Sequence, residues 1–233
     1  MRNPEEVPTT SDAGFSGEEL SHLYQRRFSV EELEGKRLLW WILCREYLDQ
    51  YIRATDTVVD LGAGSCEFIN AVRAGRKIAV DVNPDTKKYA IDAEVLLTSS
   101  DDMSAIPTAT VDVVFTSNFF EHLPDKRALL RTLEECARIL RSGGSLLILM
   151  PNLRYLHGRY WDYFDHHLPL THLSLAEGLR LAGFTPEIVI PRFLPYTVKD
   201  FPVKIRPFMV KAYLRMRFLW PLLGRQMFIL ARR

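Results

Sequence analysis

VVDLGAGSCE, residues 58–67, is the segment from which most of this protein's fold can be predicted. A short apolar run leads into a turn with glycines at Gly62 and Gly64, and the residues that follow predict the start of a helix. Glycine lets the backbone turn tightly and leaves room for a ligand where a Cβ atom would clash. A strand, a glycine turn and a helix in this order suit a nucleoside-binding turn, and also a purely structural one.

The next predicted strand supplies a second feature of this site. It ends at Asp81, 19 positions after Gly62. In open α/β folds, a carboxylate at this place accepts hydrogen bonds from the hydroxyl groups of a ribose. The glycine turn and Asp81 together therefore predict that the protein binds a nucleoside.

The charge of the turn discriminates between nucleoside cofactors. A dinucleotide-binding turn has a third glycine, at a position where this chain has Glu67. That carboxylate would repel the pyrophosphate that a helix N-terminus otherwise attracts. S-adenosylmethionine has no phosphate and carries a sulfonium cation, which suits the acidic residues Asp60 and Glu67 on either side of the glycines. The turn therefore favours S-adenosylmethionine over NAD.

Short apolar runs that alternate with helical patterns predict the rest of the architecture. The runs are nearly continuous in Val, Ile and Leu, as in strands that are buried on both faces of a parallel sheet. The alternation predicts an open α/β sheet. The predicted strands are 57–61, 77–81, 94–98, 111–116, 145–150, 185–190 and 226–231, and the predicted helices are 34–51, 67–73, 125–141, 174–182 and 208–220.

The chain divides into three parts. Residues 1–19 are predicted to form a flexible tail, residues 20–54 an N-terminal helical extension, and residues 55–233 one domain with a basic helical insert at 193–225. The polar start of the chain lacks the apolar core of a signal peptide. No apolar run approaches the roughly 18 residues that a membrane-spanning helix needs. A cytoplasmic location is therefore expected.

The three cysteines, Cys44, Cys66 and Cys136, are few and odd in number. None belongs to a pair or a Cys/His cluster at the spacing of a zinc site, and each lies in an apolar or glycine-rich stretch. They are therefore expected to be buried thiols in a reducing compartment.

The near-zero net charge of +1 conceals an uneven distribution. From Arg192 to Arg233, ten Lys and Arg residues stand against one acid, Asp200, so this segment carries +9 and the preceding residues carry −8. Its predicted helix, between Pro207 and Pro221, mixes apolar residues with cations. Such a helix would contact the inner face of a membrane, cap a substrate pocket or dock a partner subunit. A buried lid helix whose cations reach solvent is the slightly preferred interpretation.

The sequence resembles the class I S-adenosylmethionine-dependent methyltransferases over about residues 55–190. This resemblance implies a Rossmann-like, doubly wound α/β sheet of seven strands with the last strand antiparallel, and S-adenosylmethionine as the cofactor. Many members of the family have a third glycine where this chain has Cys66. The segments that carry the resemblance are 58–68, 78–84, 111–123 and 140–150.

The resemblance also implies which residues contact the cofactor. They lie at or just after the ends of the first four strands, where open α/β sheets bind ligands. The implied contacts are Asp60, Gly62, Ala63 and Gly64 at the methionine part, Asp81 at the ribose, Val82 or Asn83 at the adenine ring, Asp101 or Asp102 at the adenine amino group, Met103 as an apolar wall, and Asn118 near the amino acid or the reacting centre.

Candidate catalytic residues occur in two segments that follow neighbouring strands. His122 follows the fourth strand, and His166 and His167 lie in an aromatic-rich stretch after the fifth. We expect one of these histidines to act as a base, oriented by Glu121 or Asp165. Alternatively, residues 121–122 have a purely structural role at the start of the following helix.

A third interpretation is a divalent metal ion held by Glu121, His122 and a later histidine. The metal-binding branches of the family that can be compared have an acid where this chain has Asn118. No metal site is therefore expected.

The acceptor class can be narrowed by the loop after the fourth strand. Enzymes that methylate the exocyclic amines of bases have an Asn/Asp-Pro-Pro-aromatic loop, whereas residues 118–121 read NFFE. A nucleobase amine is therefore not the expected acceptor.

The sequence is also similar to bacterial methyltransferases of cell-surface polysaccharide assembly, in segments 24–29, 67–70, 78–84, 118–123, 164–175 and 224–232. That resemblance implies that the protein methylates a hydroxyl group of a sugar or another small molecule. The sugar can be part of a saccharide that is linked to a nucleotide or a lipid. An RNA-directed methyltransferase and a cofactor-binding protein without catalysis are the alternatives, and nucleic acid is not the expected partner.

Overall fold

The computed structural model describes residues 30–196 and 206–233, and side chains from Gly35 onward. The predicted tail at 1–19 and part of the basic insert, 197–205, lie outside the described residues. The strands are β1 (Thr57–Leu61), β2 (Arg76–Asp81), β3 (Glu94–Leu97), β4 (Val111–Ser117), β5 (Leu140–Pro151), β6 (Thr185–Ile190) and β7 (Gln226–Arg232). The α-helices are α1 (Val30–Glu46), α2 (Glu67–Ala71), α3 (Thr86–Tyr89), α4 (Lys126–Ile139), α5 (Leu153–Leu156), α6 (His172–Leu181), α7 (Pro207–Arg215) and α8 (Trp220–Leu223).

The seven strands form one sheet in the order β3-β2-β1-β4-β5-β7-β6. Pairing is parallel from β3 through β5, and β7 runs antiparallel to both β5 and β6. This confirms the predicted doubly wound sheet with an antiparallel last strand. The strand order reverses between β1 and β4, and Leu61 of β1 pairs with Val80 of β2 and Thr116 of β4. The carboxyl ends of these three strands therefore lie together, at the edge where such sheets bind ligands.

Both faces of the sheet are buried, which explains the continuous apolar runs. Val59 and Leu61 face a core that includes Leu133 of α4. Val58 faces a second core on the other side, which includes Ile69 of α2. Each of these side chains contributes about 1.5–3 kcal/mol through burial. The three cysteines are free thiols and are buried, as predicted.

The N-terminal helix differs from the prediction in its ends and in its buried face. It spans Val30–Glu46 instead of 34–51, and a 3-10 turn at Leu48–Gln50 follows it. The apolar repeat of this helix, with residues three to four positions apart, includes Leu38 and Trp41, but these side chains are 46% and 47% exposed. The buried face instead runs through Leu43 and Tyr47, because the helix packs against α2 and α7 on one side of the sheet.

Helix α4 begins as predicted and ends two residues early. Asp125 caps its first turn by accepting a hydrogen bond from the Ala128 amide at 2.8 Å. The helix was expected to reach residue 141, just before the two glycines at 143 and 144, but Leu140 already pairs with Val111 in the sheet. Gly143, with φ +74°, therefore serves an irregular turn within β5 instead of ending the helix.

The predicted insert helix at 208–220 is wrong in its continuity. Helix α7 ends at Arg215, and Met216 leaves the helical conformation with ψ +70° before the chain resumes as a 3-10 turn and α8. The break allows Trp220 to be buried and its indole to donate a hydrogen bond to the carbonyl oxygen of Tyr213 at 3.0 Å. Burial of one large ring therefore outweighs the helical pattern.

No helix within residues 30–196 and 206–233 combines the length and the apolar character that crossing a membrane requires.

Candidate active site

The glycine turn between β1 and α2 is held against β2 by its own backbone. The amides of Gly62 and Ala63 both donate to the carbonyl oxygen of Val80, at 2.9 and 3.2 Å. Gly62 and Gly64 adopt φ values of +73° and +49°, in the left-handed region that favours glycine. At Gly62 a Cβ atom would lie 2.5 Å from Cγ of Phe119. The tight turn predicted from the sequence is present, and Phe119 packs directly on it.

Asp81 connects this turn to the end of β2. One carboxylate oxygen accepts a hydrogen bond from the Gly64 amide at 2.7 Å, and the other accepts one from the Asn83 amide at 2.8 Å. Burial raises the pKa of Asp81, and these backbone hydrogen bonds act in the opposite direction because they stabilise the ionised form. The carboxylate predicted to bind a ribose therefore also positions the glycine turn.

Three carboxyl groups surround the turn. Asp60 is buried below it, and burial, followed by the nearby Glu67 and Asp81 carboxylates, raises the pKa of Asp60 well above its usual range. A hydrogen bond from the Ile69 backbone counteracts part of this shift. The turn thus has the acidic surroundings that the sequence predicted, with Asp60 in the interior.

Cys66 occupies the place of the third glycine that many methyltransferases carry. Its φ is +61°, and its thiol is buried 3.7 Å from the carbonyl oxygen of Thr86. A non-glycine residue in this conformation costs about 1 kcal/mol. Cys66 therefore has the left-handed backbone conformation that favours glycine, although it is not a glycine.

The remaining candidates near the adenine and the reacting centre differ in exposure. Val82 is exposed, whereas Asn83 is buried and its side-chain oxygen accepts a hydrogen bond from the Asp85 amide. Asn118 is exposed at the end of β4 with φ +48°. The side chains of Val82 and Asn118 are therefore accessible to a ligand at this edge of the sheet, whereas that of Asn83 is not.

The candidates after β3 lie in three different environments. Asp101 forms an ion pair with Arg131 at 2.8 Å, and Asp102 is exposed. Met103 has 0% of its surface exposed and belongs to the core under α4. It therefore does not line an open surface in this conformation, and of the two acids Asp102 is the more accessible.

The two predicted catalytic segments converge at the end of β4. A 3-10 turn at Phe120–His122 contacts the segment after β5, whose His167 and Leu168 amides donate to the Glu121 carbonyl oxygen at 2.8 and 3.0 Å. The rings of His122 and His166 lie 5.1 Å apart. Sequence spacing alone did not establish this convergence, which depends on the loop after β5 folding back over the sheet edge.

Both histidines of this cluster are oriented by backbone carbonyl groups. Nδ1 of His122 lies 2.8 Å from the carbonyl oxygen of Asp165 and 3.3 Å from its carboxylate. Nδ1 of His166 lies 2.9 Å from the carbonyl oxygen of Tyr160. Because a carbonyl oxygen only accepts hydrogen bonds, Nδ1 carries a proton in each ring, and in the neutral imidazole the lone pair is therefore on Nε2.

Glu121 is the most unusual group in the cluster. Its side chain is buried, and its Oε2 atom has no hydrogen-bond partner among the residues that the structure describes. Burial, with a smaller contribution from Asp165, raises the pKa of Glu121 to about 8. An orphaned buried carboxyl oxygen of this kind is costly and is typical of functional sites.

The structure brings together Glu121, His122 and His166, each with one ligand atom within 4.8 Å of the others. His167 is exposed and lies outside this group. The cluster is close enough to the cofactor candidates for a protonated His122 to lower the pKa of Asp81. Phe119, which joins the two regions by packing on Gly62, was missed because no sequence spacing points to it.

Comparison with known proteins identifies this arrangement. The family described as "Methyltransferase domain" matches residues 59–148, from β1 to β5. Residues 59–148 thus match a methyltransferase domain, in agreement with the resemblance to class I S-adenosylmethionine-dependent methyltransferases. S-adenosylmethionine, predicted from the acidic glycine turn, is confirmed as the cofactor of this domain.

Solved structures show the same fold around the methyltransferase domain. An S-adenosylmethionine-dependent methyltransferase from Archaeoglobus fulgidus is 22% identical, with a TM-score of 0.66, over 91% of this chain and 99% of that one. Geranyl diphosphate C-methyltransferase from Streptomyces coelicolor A3(2) is 16% identical, with a TM-score of 0.57, over 78% of this chain and 72% of that one. That structure contains Mg²⁺, geranyl diphosphate and S-adenosyl-L-homocysteine.

A relative by sequence is the ubiquinone biosynthesis O-methyltransferase of Xanthomonas oryzae pv. oryzae. It is 30% identical over 101 residues, which are 39% of this chain and 41% of that protein. The chain therefore matches about two fifths of the length of this curated relative.

Proposed function

We propose that the protein transfers the methyl group of S-adenosylmethionine to a hydroxyl oxygen of a sugar or another small molecule. The observation that carries the proposal is the meeting of two sites at one sheet edge. Asp81 holds the glycine turn on one side, and the cluster of Glu121, His122 and His166 lies on the other.

Methyl transfer to a hydroxyl requires alignment and the loss of a proton. The acceptor oxygen attacks the methyl carbon in line with the sulfonium, the carbon–sulfur bond breaks, and S-adenosylhomocysteine leaves. The hydroxyl proton must be released as the new oxygen–carbon bond forms. The cluster at the end of β4 is the place where this activation occurs, since both of its imidazoles are oriented with Nε2 as the lone-pair atom.

A saccharide acceptor is supported by the aromatic groups beside the cluster. Tyr163 stacks on His166 with ring centroids 5.1 Å apart, and Trp161 and Phe164 are exposed on the same segment. Exposed rings provide the flat apolar surface that the faces of a sugar contact. The O-methyltransferase named among the relatives also supports an oxygen acceptor. We propose that the acceptor is a saccharide used in cell-surface polysaccharide assembly, carried on a nucleotide or a lipid.

The proposed reaction predicts transfer of label from methyl-labelled S-adenosylmethionine to hydroxyl acceptors. Nucleotide sugars and polyprenyl-linked saccharides are the first acceptors to test, with product detected by scintillation counting and mass spectrometry. The same acceptors methylated beforehand at the reactive oxygen are the matched control and should take up no label. Label in RNA instead of saccharide, or binding of S-adenosylhomocysteine without transfer to any hydroxyl, would contradict the proposal.

We also propose that the surface formed by α7 and α8 contacts an anionic membrane. Leu214 and Trp220 are buried against the body of the protein, and Lys211 and Arg215 form ion pairs with Glu46 of α1. The exposed part of this surface is rich in apolar side chains, and residues 206–225 contain five Lys and Arg and no acid. Its exposed apolar side chains are Phe208, Met209, Met216, Phe218, Leu222 and Leu223. An apolar surface on a cationic segment is complementary to anionic lipid headgroups over acyl chains.

The membrane contact predicts a specific loss of vesicle binding. In vesicles of phosphatidylglycerol and phosphatidylcholine at low salt, the double variant Phe208→Glu/Phe218→Glu should sediment at least about tenfold less well than the unaltered protein. These rings are 66% and 69% exposed, so their replacement should leave folding intact. Ile91→Glu is the matched control, because Ile91 is 63% exposed elsewhere on the surface. Equal sedimentation of all three proteins would disprove the contact.

A further inference from the structure

We propose that Glu121, His122 and His166 bind one divalent transition-metal ion. Their ligand atoms lie within 4.8 Å of one another. Two ligands that each stand about 2.1 Å from a tetrahedral metal are about 3.4 Å apart, so the side chains need to close by at most about 1.4 Å, which small side-chain rotations supply. The sequence favoured no metal because Asn118 cannot serve as an acidic ligand, whereas the folded chain brings in His166 from the loop after β5.

The hydrogen bonds that His122 and His166 make through Nδ1 support a metal site. A histidine that binds a metal through one nitrogen generally donates its other ring N–H to a carbonyl or a carboxylate. His122 has this arrangement with the carbonyl and carboxylate oxygens of Asp165, and His166 has it with the carbonyl oxygen of Tyr160. Asp165 is itself fully buried, so its carboxylate is held in place. Both rings are thus oriented with Nε2 as the ligand atom.

A bound metal ion would also explain why the Glu121 carboxyl group is buried. Oε2 of Glu121 is buried and has no hydrogen-bond partner within the described residues. A bound cation would satisfy it and would compensate for the proximity of the Asp165 carboxylate. Two imidazoles and one carboxylate favour Zn²⁺ or Mn²⁺ over Mg²⁺, which prefers oxygen ligands alone.

The role of the ion rests on the proposed function. An acceptor hydroxyl bound to an ion that Glu121, His122 and His166 hold would lose its proton to water more readily, because a divalent cation stabilises an alkoxide. The alkoxide oxygen then forms its bond to the methyl carbon while the carbon–sulfur bond breaks, and no oxidant or reductant is needed. The ion would therefore supply the activation that we assign to this cluster.

Metal binding is tested without cofactor or acceptor. The full-length protein is treated with EDTA, dialysed, and titrated calorimetrically with Zn²⁺, Mn²⁺ and Mg²⁺. We expect one equivalent of Zn²⁺ or Mn²⁺ to bind, and His166→Ala and the nearly isosteric Glu121→Gln to bind it at least about 100-fold more weakly. His167→Ala is the matched control, because this neighbouring histidine is exposed and outside the group, and it should bind the ion as the unaltered protein does.

Binding of S-adenosylhomocysteine by each variant shows that it is folded and separates the two proposals. Loss of metal binding in both ligand variants, with S-adenosylhomocysteine still bound, supports the site. Failure of the unaltered protein to bind Zn²⁺ or Mn²⁺, or equal binding by Glu121→Gln, overturns it. If metal-free protein methylates a hydroxyl, the proposed function stands and the role of the ion in activating the acceptor falls. If the metal binds but no methyl is transferred, the proposed function falls alone.

Discussion

Asp81→Asn is expected to weaken the binding of S-adenosylhomocysteine by at least about 100-fold in isothermal titration calorimetry. The carboxylate accepts hydrogen bonds from the amides of Gly64 and Asn83. A hydrogen bond to a charged group contributes about 1.5–3 kcal/mol, and every 1.4 kcal/mol is tenfold in affinity. An amide side chain can accept only on its oxygen, so its NH2 group would oppose one of the two backbone donors. The variant therefore loses both the ribose ligand and the positioning of the turn.

Asp112→Asn is the matched control for this prediction. Asp112 lies in β4 near the opposite edge of the sheet, and its carboxylate accepts a hydrogen bond from the Thr57 amide at 2.8 Å. The same change of chemistry therefore occurs far from the cofactor edge. We expect Asp112→Asn to lower the free energy of unfolding and to leave the affinity for S-adenosylhomocysteine within about twofold. If both variants lost affinity equally, Asp81 would have no specific role in cofactor binding.

Gly62→Ala is expected to lower the free energy of unfolding by about 3 kcal/mol in urea denaturation. A left-handed φ costs a non-glycine residue about 1 kcal/mol, and overpacking adds about 1–3 kcal/mol. The added Cβ atom would lie 2.5 Å from Cγ and 2.7 Å from Cβ of Phe119. These atoms are near the backbone of Phe119, so rotation of the ring cannot relieve the clash. The strain should also displace the chain that leads into the Glu121 cluster.

Gly64→Ala separates backbone strain from the steric clash. Gly64 has a φ of +49°, but within 30–196 and 206–233 a Cβ atom there would have no heavy atom closer than 4 Å apart from its own chain neighbours. We therefore expect Gly64→Ala to cost only about 1 kcal/mol of stability. Equal destabilisation by the two substitutions would show that Phe119 does not restrain the turn.

The described fold could be predicted largely from local sequence. Strands β1 and β6 have the predicted ends, and the glycine turn and Asp81 occupy the predicted places at the sheet edge. Such features depend on neighbouring residues, because apolar runs specify buried strands and glycine specifies the left-handed turn. The errors concern boundaries and faces, as in α1, where Leu38 and Trp41 are exposed because packing against other helices decides which side is buried.

The candidate site is determined in part by sequence and in part by tertiary structure. The acidic glycine turn and the position of Asp81 predict S-adenosylmethionine, because charge and strand order follow directly from the amino acids. The choice of His166 over His167 depends on the fold, since the loop after β5 places one ring beside His122 and leaves its neighbour exposed. Contacts between residues more than 40 positions apart depend on how loops fold back over the sheet. The local sequence pattern does not specify this, because it reflects only neighbouring residues.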